Sequence, residues 1–227
     1  KLERQGLNKS EPDKDKPFNG KSMVMIFEKP STRTRISFDI AIKQLGGSSI
    51  FLNPDGIHYG KGDETLKDTA KVLSEYADII MLRTSSHKNL EEFGKHLSIP
   101  LINGLSEKSH PCQIMSDILT FEETKGIIKN KVISWLGDGN NNMSNSLIEA
   151  AGKFGFQLKI GCPKKYAPNK NMLNWAKKNK VKLLVTIKPE EAVKDSDCIM
   201  TDKWVSMNDK VNKKLKKKNL KNYQVNK

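Results

Sequence analysis

Arginine is scarce in this chain. Of 227 residues, 40 are Lys or Arg, yet the only guanidiniums are Arg4, Arg33, Arg35 and Arg83. Cysteine (three residues) and aromatics (7%) are also few. Each shortage excludes something. Cys112, Cys162 and Cys198 are far apart and odd in number, which argues against a disulfide framework and against a zinc site. No apolar run approaches the roughly 20 residues that a membrane-spanning helix needs. The opening stretch KLERQGLNKSEPDKDK has no apolar core of the signal-peptide kind. The expectation is a cytoplasmic protein without a membrane partner.

What is present is positive charge, a formal +14 with 29% charged residues. Such an excess raises the question of nucleic-acid binding. The lysines are spread along the chain, with one dense run near the end, KVNKKLKKKNLKNYQVNK. That run holds one aromatic, Tyr223, and so offers no stacking platform for single strands. A solvated helix face is the reading adopted, and no nucleic-acid partner is expected.

Hydrophobic patterning alternates strand with helix. KSMVMIFEK, SSIFLN, DIIMLRT and IPLING read as strands, separated by helices over STRTRISFDIAIKQLGG, DETLKDTAKVLSEYA and NLEEFGKHL. In the first of these helices, Ile36, Ile40 and Leu45 fall at helical spacing. HPCQIMSDILTFEETKG is a further helix. The alternation restarts with KVISWLGDG, FQLKIGCP, VKLLVTI and DCIMTDKW as strands. A composition break at residues 124–131 sets the expected division into domains 1–125 and 126–227. The fold class expected is α/β, two doubly wound parallel-sheet domains, in which ligands sit at the C-terminal ends of the strands.

The scarce arginines fall at such strand ends. In FEKPSTRTRISF, a strand gives way at Pro30 to a helix capped by Ser31 or Thr32. Unpaired backbone N–H groups there, with the hydroxyls and a guanidinium, suit a phosphate or carboxylate. One of Arg33 and Arg35, two apart, is expected to face away and serve packing. Arg83 ends another strand, as a surface cation or a ligand group. His110 and Gln113 open the helix of HPCQ, with Pro111 at its first position. In WLGDGNNNMSNS the glycines lack the third position of a dinucleotide turn, so the asparagines suit a small polar ligand instead. Asp202 in TDKWVSM holds an ammonium or caps a helix. These donors come without paired carboxylates or a Ser–His–Asp set. They suit a reaction in which charge develops on oxygen.

FEKPSTRTR, HPCQ, GDGNN and DKWVSM, in this order, resemble the aspartate/ornithine carbamoyltransferase family, and within it the branch acting on ornithine. The resemblance runs over nearly the whole chain. It implies that Ser31, Thr32, Arg33 and Thr34 cradle the phosphate of carbamoyl phosphate, with Arg83, His110 and Gln113 at its phosphate or carbonyl oxygen. His58 would reach a neighbouring subunit's site in a homotrimer. Asn141 or Asn142, Asp202, Ser206 and Met207 would hold ornithine, whose neutral δ-amine attacks the carbamoyl carbon, without cofactor or metal, giving citrulline and phosphate. Three departures stand out. GDGNNNMSNS carries an extra Asn, so Asn141 and Asn142 compete. Asn208 stands where the family has Gly. The family's His-Cys-Leu-Pro segment and closing helix are not in these residues, and the start lacks most of the first helix, so a fragment with weak binding and poor turnover is expected. The alternatives are a sibling enzyme using aspartate or putrescine, or a catalytically impaired binding protein.

Overall fold

A computed structural model describes residues 7–9, 11–53, 64–205 and 212–226. Two compact units divide between Ser106 and Glu107.

The first unit is built on a parallel sheet of β1 (Ser22–Phe27), β2 (Ser48–Leu52), β3 (Ile79–Arg83) and β4 (Leu101–Leu105), in the order β2-β1-β3-β4. Its helices are α1 (Thr32–Gln44), α2 (Leu66–Tyr76) and α3 (His87–His96). Strand residues alternate between two cores, as a period of two demands. Val24, Ile26, Ile80 and Leu82 pack with Ala70 of α2 and Phe93 of α3 on one face. Met23, Met25, Phe27 and Met81 pack with Ile42 of α1 on the other. Burial on both faces is why residues 23–27, MVMIF, are apolar throughout rather than alternating. Within α1 the structure corrects the spacing argument. Ile36 and Ile40 are exposed, Leu45 follows the last turn, and Ile42 is the residue that reaches the core.

The second unit repeats the plan. Its helices are α4 (Pro111–Lys125), α5 (Asn142–Phe154), α6 (Lys170–Lys178), α7 (Pro189–Val193) and α8 (Lys213–Leu220). The strands β5 (Val132–Leu136), β6 (Gln157–Gly161), β7 (Leu183–Thr186) and β8 (Cys198–Thr201) pair in the parallel order β7-β6-β5-β8. Ile133 and Trp135 face the large core with Ile118 and Leu147. Ser134, on the opposite face, donates to the Ala192 carbonyl at 2.6 Å beneath α7. Helix α5 starts with a capping box between Asn141 and Ser144 and stops at Gly155, whose φ of 73° is left-handed.

The fold class expected from the alternation is the one observed, strand for strand. By compactness α4 lies within the second unit. The reason is local. Asn145 Nδ2 donates to the Lys108 carbonyl, and the His110 N–H donates to Ser146 Oγ, so α5 holds the approach to α4.

Phe93→Ala should remove about 3–5 kcal/mol of stability, since a fully buried ring leaves a cavity. Urea denaturation reads this directly, and a loss under about 1 kcal/mol would contradict the core described.

Candidate functional site

Parallel pairing of β1 with β3 sets Arg83 directly beside Phe27, and the Glu28 N–H donates to the Arg83 carbonyl at 2.9 Å. The guanidinium therefore emerges next to the start of α1. There Arg83 Nη1 donates to Thr34 Oγ1 at 3.2 Å, and Ser31 Oγ donates to the same oxygen at 2.9 Å. Ser31 is the N-cap residue by backbone, yet its hydroxyl is spent on Thr34 and no side chain caps the helix. The first N–H groups of α1 consequently keep their donor capacity for a ligand.

Electrostatics reinforce this. The Arg83 guanidinium has its proton affinity lowered, first by burial and then by neighbouring Arg33. Its buried Nε has no hydrogen-bond partner among the described residues. Neither Arg33 nor Arg83 makes an ion pair among those residues. Two close cations without a carboxylate are a standing repulsion that a bound anion relieves. Arg83 is thus no ordinary surface cation. Arg35 turns elsewhere: its guanidinium lies 3.9 Å from the Phe51 ring centroid, and Phe51 in turn meets Phe27. This is the packing role expected of one of the pair.

One support escaped the sequence reading. Glu28 accepts from Thr84 Oγ1 at 2.6 Å and from the Ser85 N–H at 3.1 Å, tying the loop after β1 to the loop after β3. Its only signal was the acid inside FEK.

The second unit gathers another set. His110 is the N-cap residue of α4, and Gln113 Nε2 donates to Asp117 Oδ1 at 2.9 Å. Burial pushes the Asp117 carboxyl above its ordinary range, against the Gln113 bond, and nearby Asp202 adds to the rise. Asp202, beyond β8, also accepts from the Lys203 N–H. Asn141 commits both ends of its amide locally: Oδ1 accepts from the Ser144 N–H and Nδ2 donates to the Asp138 carbonyl. Asn142 is the first residue of α5 and half-buried. His58, Ser206, Met207 and Asn208 lie outside the described residues.

The thiols of Cys112, Cys162 and Cys198 are all raised, chiefly by burial, Cys162 to about 11. They stay protonated at neutral pH and make poor nucleophiles. Among the described residues no three His, Cys, Asp or Glu side chains gather as a metal site, and no helix is long and apolar enough to cross a membrane.

Residues 3–123 match the carbamoyl-P binding domain of aspartate/ornithine carbamoyltransferase, and residues 129–227 match the Asp/Orn binding domain. The chain belongs to the aspartate/ornithine carbamoyltransferase family. It is 50% identical over 194 residues to an ornithine carbamoyltransferase of Rhizobium meliloti, covering 86% of this chain and 63% of that one. To the Rhodopseudomonas palustris ornithine carbamoyltransferase it is 47% identical over 218 residues, covering 96% and 69%. Among solved structures, ornithine carbamoyltransferase from Pyrococcus furiosus superposes with a TM-score of 0.85 at 40% identity, covering 93% of this chain and 68% of that one. The anabolic enzyme from Campylobacter jejuni also gives 0.85, at 36% identity, covering 93% and 71%. The chain thus spans about two thirds of the length of these family members.

Arg33→Lys should weaken inorganic phosphate binding roughly 10- to 100-fold in titration calorimetry, the equivalent of one charge-assisted hydrogen bond. Arg35→Ala should instead cost about 0.5–1 kcal/mol of stability and leave phosphate affinity unchanged. The reverse pattern would reassign the two.

Asp117 gives a pH test. Its folded-state pKa is raised, so the folded chain holds the proton more tightly, and stability falls as pH rises from the ordinary carboxylate range through the raised value. Asp117→Asn should therefore raise Tm at pH 7, with the gap closing towards pH 4. A gap that widens on acidification would contradict the burial described.

Proposed function

We propose that this chain carries the machinery to transfer the carbamoyl group of carbamoyl phosphate to the δ-amine of ornithine, yielding citrulline and phosphate. The observation that carries this reading is the Arg83–Thr34–Ser31 cluster at an uncapped helix start, with Arg33 beside it. A doubly charged phosphate fits that cluster better than any single carboxylate, because several donors and two cations converge without a counterion.

In the proposed mechanism Ser31, Thr32, Arg33 and Thr34 grip the phosphate. Arg83, His110 and Gln113 donate to the carbamoyl group, and His58 is assigned to the same ligand. Nucleophilic attack by the neutral amine puts negative charge on the carbamoyl oxygen, which fixed donors stabilise. The C–O bond to phosphate then breaks, and the departing phosphate takes up the proton that the attacking nitrogen loses. Ornithine is assigned to Asn142, Asp202, Ser206 and Met207. Asn142 is preferred over Asn141 because the Asn141 amide is already spent on the helix cap. The proximity of Asp117 and Asp202 supports an ammonium ligand there. In function the division is assigned as 1–125 for carbamoyl phosphate and 126–227 for ornithine. The relatives named above as ornithine carbamoyltransferases support ornithine over aspartate. The assembly is assigned as a cytoplasmic homotrimer.

Incubation with carbamoyl phosphate and, separately, ornithine, aspartate or putrescine decides the acceptor. Citrulline should form, with the other two amines giving under about 1% of its rate, since a missing charge partner costs several kcal/mol. Predominant carbamoyl-aspartate or carbamoyl-putrescine would overturn the assignment.

A further inference from the structure

The dense lysine run is not entirely a solvated face. Lys216, in α8, is 4% exposed, and its Nζ lies 2.5 Å from Asp138 Oδ2. The same ammonium stands 5.7 Å from the centroid of the Tyr166 ring. Helix α8 and the short turn after it are themselves anchored. Leu220 is fully buried, and Tyr223 donates its hydroxyl to the Ile187 carbonyl at 2.7 Å.

Asp138 is the hub of the loop between β5 and α5. Its Oδ1 accepts the Asn140 N–H at 2.9 Å. Its backbone carbonyl accepts from Trp135 Nε1 at 2.9 Å and from Asn141 Nδ2 at 3.1 Å. Lys216 thus neutralises the carboxylate that accepts the Asn140 N–H, on the residue whose backbone carbonyl also holds Asn141, the N-cap of α5. A buried ion pair that loses one partner leaves an uncompensated charge, which must then draw in water or other donors. For Asp138 those movements would pass directly into the loop.

We propose that Lys216 is a positioning residue for the amine-acceptor side of the site. It touches no substrate; it holds Asp138 so that Asn142 is presented in one geometry at the start of α5. The proposal rests on the carbamoyl-transfer reading for the identity of the acceptor, and on the ion pair alone for the ordering of the loop. A pair serving only global stability would behave differently, because its loss would loosen the whole second unit and leave the Michaelis constants of the surviving folded enzyme unchanged.

The test compares Lys216→Met with Lys216→Arg in the full chain. Without ligand, amide hydrogen exchange of residues 137–145 should speed up at least about tenfold in the Met variant, with β6 and first-unit segments unaltered, as local opening requires. In turnover assays the ornithine KM should rise about tenfold or more while the carbamoyl-phosphate KM and kcat change by less than about threefold. Lys216→Arg should restore both, since it keeps the charge. Equal acceleration in every segment, an unchanged loop, or an unchanged ornithine KM would overturn the proposal. If the parent chain makes no ureido product from any amine, the transfer reading fails, while the exchange comparison still decides whether Lys216 orders the loop. If the Met variant does not fold, the neutral pair Asp138→Asn with Lys216→Met removes the stranded charge, and the same exchange readout applies.

Discussion

The register of β1 against β3 is the constraint from which the proposed anion site follows. A parallel ladder pairs Phe27 with Arg83, so the exit of one strand and the last side chain of another share one edge. Only there can a guanidinium reach the hydroxyl of Thr34 one turn into α1. A slip of one residue would turn Arg83 to the opposite face of the sheet and bring an apolar side chain to the helix start. The apolar alternation that builds two cores therefore also aims the cation.

Holding Arg83 there has an energetic cost. Its Nε is buried without a partner among the described residues, and Arg33 stands close enough to disfavour its charge. A fold optimised only for stability would place a carboxylate between them. Glu28, which follows β1, is instead turned to Thr84 and Ser85, where it braces the loops without neutralising the guanidinium. The unsatisfied state is consistent with a site prepared for an incoming anion.

Much of this was legible in the chain itself. The strand–helix alternation followed from period-two and period-3.6 patterning, and the sheets are parallel because each strand is followed by a helix. The S-T-R-T-R cluster stood out because guanidiniums are otherwise so rare here, and the structure puts Ser31 and Thr34 of that cluster against Arg83. What stayed hidden depends on contacts distant in sequence. Lys216 looks like its neighbours in KKLKKKNL, and only its pairing with Asp138 sets it apart. Nor can periodicity show that α4 packs with the second unit, since that depends on two side chains of α5 reaching residues 108 and 110. Ile36 and Ile40 were at helical spacing, yet a thirteen-residue helix with one buried residue uses a narrower face than the spacing implied.

One short stretch of α5 performs several tasks at once. Asn141 closes the cap, Ser144 completes it, Asn145 grips Lys108, and Ser146 receives His110. These residues span fewer than two turns, so the approach to HPCQ and the asparagine loop share one support. Substitutions there cannot drift independently: a change that suits one loop disturbs the other, and divergence at this point of the fold has to proceed by concerted replacement.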